Sequence, residues 1–238
     1  MLPYWIFFLV PAVAACVSSP HMHFHADGTR PLHINETWIL IILALTIMIG
    51  FRYEVGGDWE NYFRFLFDAN NLSFADLATK SDPGYWALNV ISVRLDLGIT
   101  GVNTLGALIF SIGLVLFCKN LPRPWLALAC AIPYLVTVVA MGYTRQAIAL
   151  GLVMVGFVML SQSRFGAFVV WVLLGALFHK TAVVMIPLAA LTISKNRFLN
   201  VALVSVASYL GYNVLLADSA SGLVQSYNDE NMQSSGAL

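Results

Sequence analysis

Five ionisable side chains stand at the ends of otherwise apolar stretches: Arg52, Asp58, Arg145, His179 and Lys180. By type they form an anion-binding set. Two guanidiniums and an ammonium supply positive charge, and a guanidinium pairs with phosphate through two parallel hydrogen bonds. The carboxylate and the imidazole are groups able to take a proton. Each also has a plainer use: Arg52 and Lys180 as snorkelling stops, Asp58 as a helix cap, His179 as an interfacial residue. Arg145 has the weakest plain reading, because no acidic residue stands near it in sequence to pair with it. Tyr53, Trp59 and Tyr62 flank Asp58, where they can stack on sugar rings or serve only as aromatics of the membrane belt.

The elements that must position these residues are set by composition. Of 238 residues, 59% are hydrophobic and only 10% are charged, against about 25% charged in soluble domains. The chain therefore reads as an all-α, polytopic helical integral membrane protein, with about seven to eight transmembrane or half-inserted helices. Zero formal net charge leaves no polybasic surface for nucleic acid. Cys16, Cys118 and Cys130 are scattered through apolar runs without metal-ligand spacing and read as small buried hydrophobes. His21, His23 and His25 alternate in a polar loop that also holds His33, but no carboxylate or cysteine completes a ligand set. No metal and no cofactor is expected, and no glycine-rich nucleotide fingerprint is present.

Residues 2–17 form the expected first span. Val13 to Cys16 resembles a lipoprotein cleavage box, but the basic start that such a signal needs is missing. A second span covers 38–51. Gly56 and Gly57 then break the backbone, and Asp58 is placed to cap a helix starting at Trp59. In that helix Trp59, Phe63, Leu66 and Phe67 share an apolar face, with Asn61, Arg64 and Asp68 away from it, the pattern of a helix lying along a membrane surface. Interfacial helices are thus expected near 59–68 and 84–95, within an extracytoplasmic loop over 52–101. Further spans are read at 102–118, at 125–160 (two, broken near 142–146), at 164–192 (broken at 179–181) and at 198–216, followed by a polar tail at 218–238. The whole of 1–238 reads as a single membrane domain.

Lys and Arg in short loops mark the cytoplasmic side. Lys119 and Arg123, Arg164, and Lys195 and Arg197 occur at every second turn, and Arg30 agrees with them. The alternate turns then share the outer face, provided that helix 84–95 does not cross. That places Arg52, Asp58, Arg145, His179 and Lys180 at one level, where ionisable groups are unfavourable unless they have a use.

Four blocks carry a resemblance to a known family: Arg52-Tyr53-x-Val55-Gly56-x-Asp58-x-x-x-Tyr62, then Pro83-Gly84-Tyr85, then Arg145-Gln146-Ala147-Ile148-Ala149, then Phe178-His179-Lys180-Thr181-Ala182. In order and spacing they resemble the EpsG family of bacterial exopolysaccharide and capsule clusters, similar to Wzy-type polymerases. Gly57 departs from the family, which often has Thr there. Members also usually continue through further spans, so the resemblance implies a truncated chain. It implies an inner-membrane, multi-pass glycosyltransferase-type polymerase that joins undecaprenyl-pyrophosphate-linked oligosaccharide repeat units at the outer face. Its partners would be lipid-linked oligosaccharide, membrane lipid and other polysaccharide-assembly proteins. The matching positions would divide into Asp58 and His179 as catalytic groups and Arg52, Arg145, Tyr53, Trp59, Tyr62, Gln146 and Lys180 as substrate contacts. Two other classes remain open on the residues alone: a transporter or flippase of lipid-linked sugars, and a non-catalytic membrane component of an assembly complex.

Overall fold

In a computed structural model the described residues are 2–18, 34–187 and the single positions Phe198, Ala202, Ser205 and Tyr209. Eight α-helices are described: α1 Leu2–Val17, α2 Glu36–Gly50, α3 Trp59–Ala69, α4 Pro83–Arg94, α5 Gly98–Asn120, α6 Pro124–Ala131, α7 Thr144–Ser161 and α8 Phe165–Ala176. Short 3-10 turns cover Phe74–Thr79 and Lys180–Val184, and α6 runs on into a π-helical stretch, Ile132–Ala140. The chain divides into two compact units, Met1–Ala182 and Val183–Leu238, a boundary that the reading of one membrane domain does not draw. Every candidate residue lies in the first unit. The loop histidines His21, His23, His25 and His33, the turn at 195–197, the tail at 218–238 and all but four positions of the span at 198–216 lie outside the described residues.

The expectation of seven to eight spanning or half-inserted helices is met in part. Among the described residues α5 and α7 are long and apolar enough to cross a membrane by length and composition. Pro3–Val17, Glu36–Gly50, Pro124–Ala140 and Phe165–Ala176 are apolar but shorter. Helix α2 shows the pattern: Trp38, Ile42, Leu45 and Ile49 are buried, while Leu40, Leu43 and Ile47 are exposed, so neither side is polar. A helix that is apolar all round suits a site with protein on one side and lipid on the other.

Helix α5 is central and packs against both α2 and α7. Its crossing with α7 is set by glycine. A Cβ on Gly113 would collide with the Gly151 carbonyl oxygen, and one on Gly151 would fall 2.7 Å from Phe110 Cα. Close backbone contact of this kind is how apolar helices gain packing where no hydrophobic drive separates them from lipid.

Contacts at the helix ends define two poles. The Asn120 amide donates to the Ser161 hydroxyl at 2.9 Å, joining the last turns of α5 and α7. Lys119 Nζ lies 5.8 Å from the Trp38 ring at the start of α2, and Trp38 stacks on Trp125 at 4.7 Å. The basic positions Lys119, Arg123 and Arg164 therefore share one pole. Arg52, Asn103 and Thr144 meet at the other. Helix α4 has 12 residues, about 18 Å of rise, too short for a hydrocarbon core of about 30 Å. Its last turn bonds to the start of α5 through the Ser92 hydroxyl and the Gly98 carbonyl. The segment from α3 to α5 thus returns to the pole it left.

Among the local expectations, the burial of all three cysteines needs correction. In α3 the side that packs on protein is Tyr62, Phe65, Leu66 and Ala69, while Phe63 and Phe67 of the apolar face point away from the protein with 46% and 77% exposure, as on a helix lying along a membrane surface. Large aromatic rings dominate the apolar count of the helix, but Tyr62 and Phe65 are the ones that meet Tyr85 of α4. Among the cysteines only Cys118 is buried; Cys16 and Cys130 are exposed along α1 and α6.

The glycine crossing is testable. Gly113→Ala is expected to destabilise the protein by about 1–3 kcal/mol through overpacking. Gly166→Ala, whose Cβ would meet nothing within 4 Å, is expected to stay within about 0.5 kcal/mol of wild type. Thermal unfolding in detergent micelles reads both, and equal losses would refute the crossing.

Candidate functional site

Arg52 follows directly on the C-terminus of α2 and is only 7% exposed. Its Nη1 donates to the Ile49 carbonyl at 3.3 Å and to the Ala140 carbonyl at 3.0 Å. Both acceptors belong to helix ends, where carbonyls lack intrahelical partners and carry the negative end of the helix dipole. Its Nη2 donates to Asn103 Oδ1 at 3.1 Å and to the Thr144 hydroxyl, which in turn donates to Asn103 Oδ1 at 3.1 Å. One guanidinium so ties α2, the π-helical stretch, α5 and α7. Among the described residues only its Nε is without a partner. Burial pushes the Arg52 pKa down, but a guanidinium stays charged throughout the accessible range.

The next layer outward is organised by Asp82. This residue precedes α4 with φ +56°, a left-handed conformation that Asp tolerates better than most side chains. Its Oδ2 accepts from Arg145 Nη1 at 3.1 Å, and its Oδ1 accepts from the Lys180 main-chain N–H at 3.3 Å. The adjoining Gly84 N–H donates to the Leu177 carbonyl at 2.8 Å. A Cβ on Gly84 would stand 3.1 Å from that oxygen and from Phe178 Cζ, so this approach of α4 to the end of α8 needs glycine.

Arg145 is the exposed counterpart of Arg52. Its side chain is 28% exposed and its guanidinium lies over the rings of Phe65 and Tyr85, 4.9 and 5.9 Å from their centroids. It walls an open hollow of about 310 Å3 with Asn61, Arg64, Phe65 and Asp68. His179 is half-buried, and its Nδ1 has no partner among the described residues. Burial lowers its pKa; the charge of Asp82 opposes that, and Arg145 and Lys180 add to it. The imidazole is therefore neutral, and a base, at neutral pH.

The remaining expected site residues separate. Tyr62 is 2% exposed and packs on Tyr85 at 5.8 Å; burial, and behind it the charge of Asp58, holds its phenol protonated. Tyr62 thus has no face free for a sugar. Tyr53, Trp59 and Phe63 form an edge-to-face ladder with centroids 5.9 and 5.5 Å apart. At about 100° per residue this edge lies on the opposite side of α3 from the hollow. Gln146 and Lys180 are exposed. Asp58 does precede α3 as expected, but its side chain makes no capping bond and accepts from the Asn61 amide at 3.4 Å. Arg52, Asp58, Arg145 and His179 occupy one pole, and of the four Arg145 lines the hollow of about 310 Å3. Sequence reasoning missed Asp82, Asn103, Thr144 and Tyr85. The missing acidic partner of Arg145 is Asp82, 63 positions earlier.

A model of the EpsG family matches residues 36–238. The chain belongs to the EpsG family. Membership makes it a membrane protein associated with polysaccharide biosynthesis. No curated protein and no solved structure matches the chain significantly. The blocks by which the sequence resembles EpsG proteins meet in space. Gly56, at φ +105°, abuts Gly142, whose Cα would lie 2.7 Å from an added Cβ, so the first block docks on the break before Arg145. Gly57 has nothing within 4 Å of an added Cβ, so a side chain could leave the backbone there without a clash.

The two arginines should separate in experiment. Arg52→Gln leaves several buried acceptors unpaired and is expected to destabilise the protein by about 3 kcal/mol. Arg145→Gln removes the charge partner of the buried Asp82 but keeps an amide that can donate to it, and is expected to lose about 1–2 kcal/mol. Denaturant unfolding of the purified protein measures both, and an equal loss at the two positions would remove the distinction.

Proposed function

We propose that this EpsG-family protein polymerises oligosaccharide repeat units carried on undecaprenyl pyrophosphate, as a multi-pass protein acting at the outer face of the bacterial inner membrane. The observation that carries the reading is Arg145: a partly exposed guanidinium at the mouth of apolar helices, steadied by Asp82 and two aromatic rings and opening on a hollow. Charge supports the orientation, since Lys119, Arg123 and Arg164 share the opposite pole and basic turns favour the cytoplasm. The apolar flanks of the helices suit a polyprenyl tail.

In the proposed reaction the acceptor hydroxyl oxygen attacks the anomeric carbon of the donor sugar. The bond from that carbon to the pyrophosphate oxygen breaks, its electron pair leaves with the pyrophosphate, and the hydroxyl proton passes to a base. Attack opposite the leaving group inverts the anomeric carbon. Arg145 donates to the pyrophosphate oxygens as negative charge gathers there, which is the point at which a fixed cation lowers the barrier. Lys180 adds a second positive group. His179 takes the proton on Nε2: its imidazole is held toward the neutral form, and its Nδ1 is buried away from any acceptor hydroxyl. Arg52 acts through position, holding Thr144 and so the residue after it.

Arg145→Ala is expected to abolish polymer in cells while protein level stays normal; normal polymer would sink the reading. With purified protein and lipid-linked repeat unit, His179→Ala is expected to lower turnover by about 10²–10⁴-fold, with Asp58→Asn retaining most of it. The reverse ranking would give the base role to Asp58. Because the pKa of His179 lies below the ordinary 6.5, the neutral base persists down to that pH. Wild-type turnover is expected to hold from pH 8 to about 6.5 and to fall in more acid solution as the imidazole is protonated. No turnover under any condition would favour a flippase or a scaffold.

A further inference from the structure

The polar side of α3 carries chemistry that the proposed transfer leaves unused. Asn61, Arg64 and Asp68 lie within about 60° of one another around the helix, and together with Phe65 and Arg145 they line the hollow of about 310 Å3. That size is at the lower end for small-molecule sites. Arg64 and Asp68 stand four residues apart, the spacing at which opposite charges on a helix pair. Among the described residues they form no ion pair with each other or with any other group, whereas Arg145 and Asp82 do. Both heads are exposed and open to a ligand. Asn61 gives its amide N–H to Asp58 and keeps its carbonyl oxygen.

The lining is mixed in sign and in hydrogen-bonding sense. Arg64 and Arg145 donate; Asp68 and the Asn61 carbonyl accept. With Arg145 engaged by the pyrophosphate, the rest of the lining is balanced in charge, Arg64 against Asp68; a second anion would gain from one and be opposed by the other, while hydroxyl and amide groups both donate and accept and can satisfy both halves. The Phe65 ring is covered by the Arg145 guanidinium, so it orients that arginine and is not a stacking platform. We infer that the hollow holds an uncharged sugar ring, the one bonded directly to the pyrophosphate, with Asp68 and Asn61 accepting from its hydroxyl or amide groups and Arg64 donating to them. This rests on Arg145 holding the pyrophosphate, because Arg145 is the wall that the two subsites share.

The test compares two probes on the full chain in lipid nanodiscs: polyprenyl pyrophosphate without sugar, and the host's own lipid-linked repeat unit. Asp68→Asn and Asn61→Ala are each expected to raise the Kd of the repeat unit about tenfold and to change that of the bare pyrophosphate less than twofold. Both positions are exposed, so folding is not at risk. Unchanged repeat-unit binding in both variants would overturn the sugar site. Tighter binding of the bare pyrophosphate by Asp68→Asn would overturn it too, by giving the hollow to phosphate. Arg145→Gln is expected to weaken both probes. If it weakens neither, the anion site fails and the placement of the ring fails with it, whereas loss confined to the α3 variants cannot arise from a failure at Arg145.

Discussion

Four helix ends meet on one buried guanidinium, and the rest of the site is arranged around that meeting. A positive charge at 7% exposure is unfavourable unless its donors are used. Here most of them are, by two helix-end carbonyls, an amide oxygen and a hydroxyl. No carboxylate is needed: the partial negative charge at the ends of α2 and of the π-helical stretch offsets part of the desolvation. The acceptors come from segments far apart in sequence, so the bonds are satisfied only when α2, α5, α7 and the π-helical stretch end at the same level. Arg52 therefore sets the depth at which the chain turns, and Gly56 lets its turn close against Gly142.

That constraint fixes Arg145 by a single step of the chain. Thr144 is held inward by Arg52 and Asn103, so the following residue, one position around the start of α7, is carried outward. There it meets Asp82, whose left-handed backbone and two engaged oxygens join the start of α4 to the end of α8. The two arginines are alike in type and opposite in use. The inner one spends its donors on protein; the outer one has a single carboxylate contact and its remaining donors unassigned. A ring stack beneath it restricts its rotamers without occupying those donors.

The sequence made the helical class legible because so few residues are charged, and the breaks at Gly56, at Gly142 and at His179 are where the periodic runs stop. The grouping of Arg52, Arg145 and His179 at one pole followed from alternate turns being basic. What could not be read was which arginine is buried, since a cation at a helix end has the same local signature whether it reaches solvent or a neighbouring carbonyl. Asp82 was hidden by distance along the chain, and Asn103 by lying inside an apolar helix where one polar residue leaves the pattern unchanged. In α3 hydrophobicity picks out an apolar face but not the side that packs on protein: the Tyr62 ring packs on Tyr85, while the more apolar Phe63 and Phe67 face out. Where lipid and protein are both apolar surroundings, hydrophobicity does not say which side is which.

The pairing of Arg145 with Asp82 bears on how an anion site can exist in a region of low dielectric. An unpaired guanidinium there would be strongly disfavoured with the site empty. With Asp82 beside it the empty site is close to neutral, and the single contact to Oδ2 leaves Arg145 able to present its other N–H groups. In the proposed reaction a pyrophosphate would add its charge to a pair and not to a bare cation, which would weaken ground-state binding. The gain is greatest where the leaving oxygen acquires further charge, so the counterion shifts the benefit from substrate toward transition state. His179 sits within reach of the same balance: Asp82 favours its protonated form, while burial, Arg145 and Lys180 favour the neutral one. In the proposed transfer, release of its proton between turnovers would thereby be kept easy, and a single carboxylate would tune both the cation that holds the leaving group and the base that serves the acceptor.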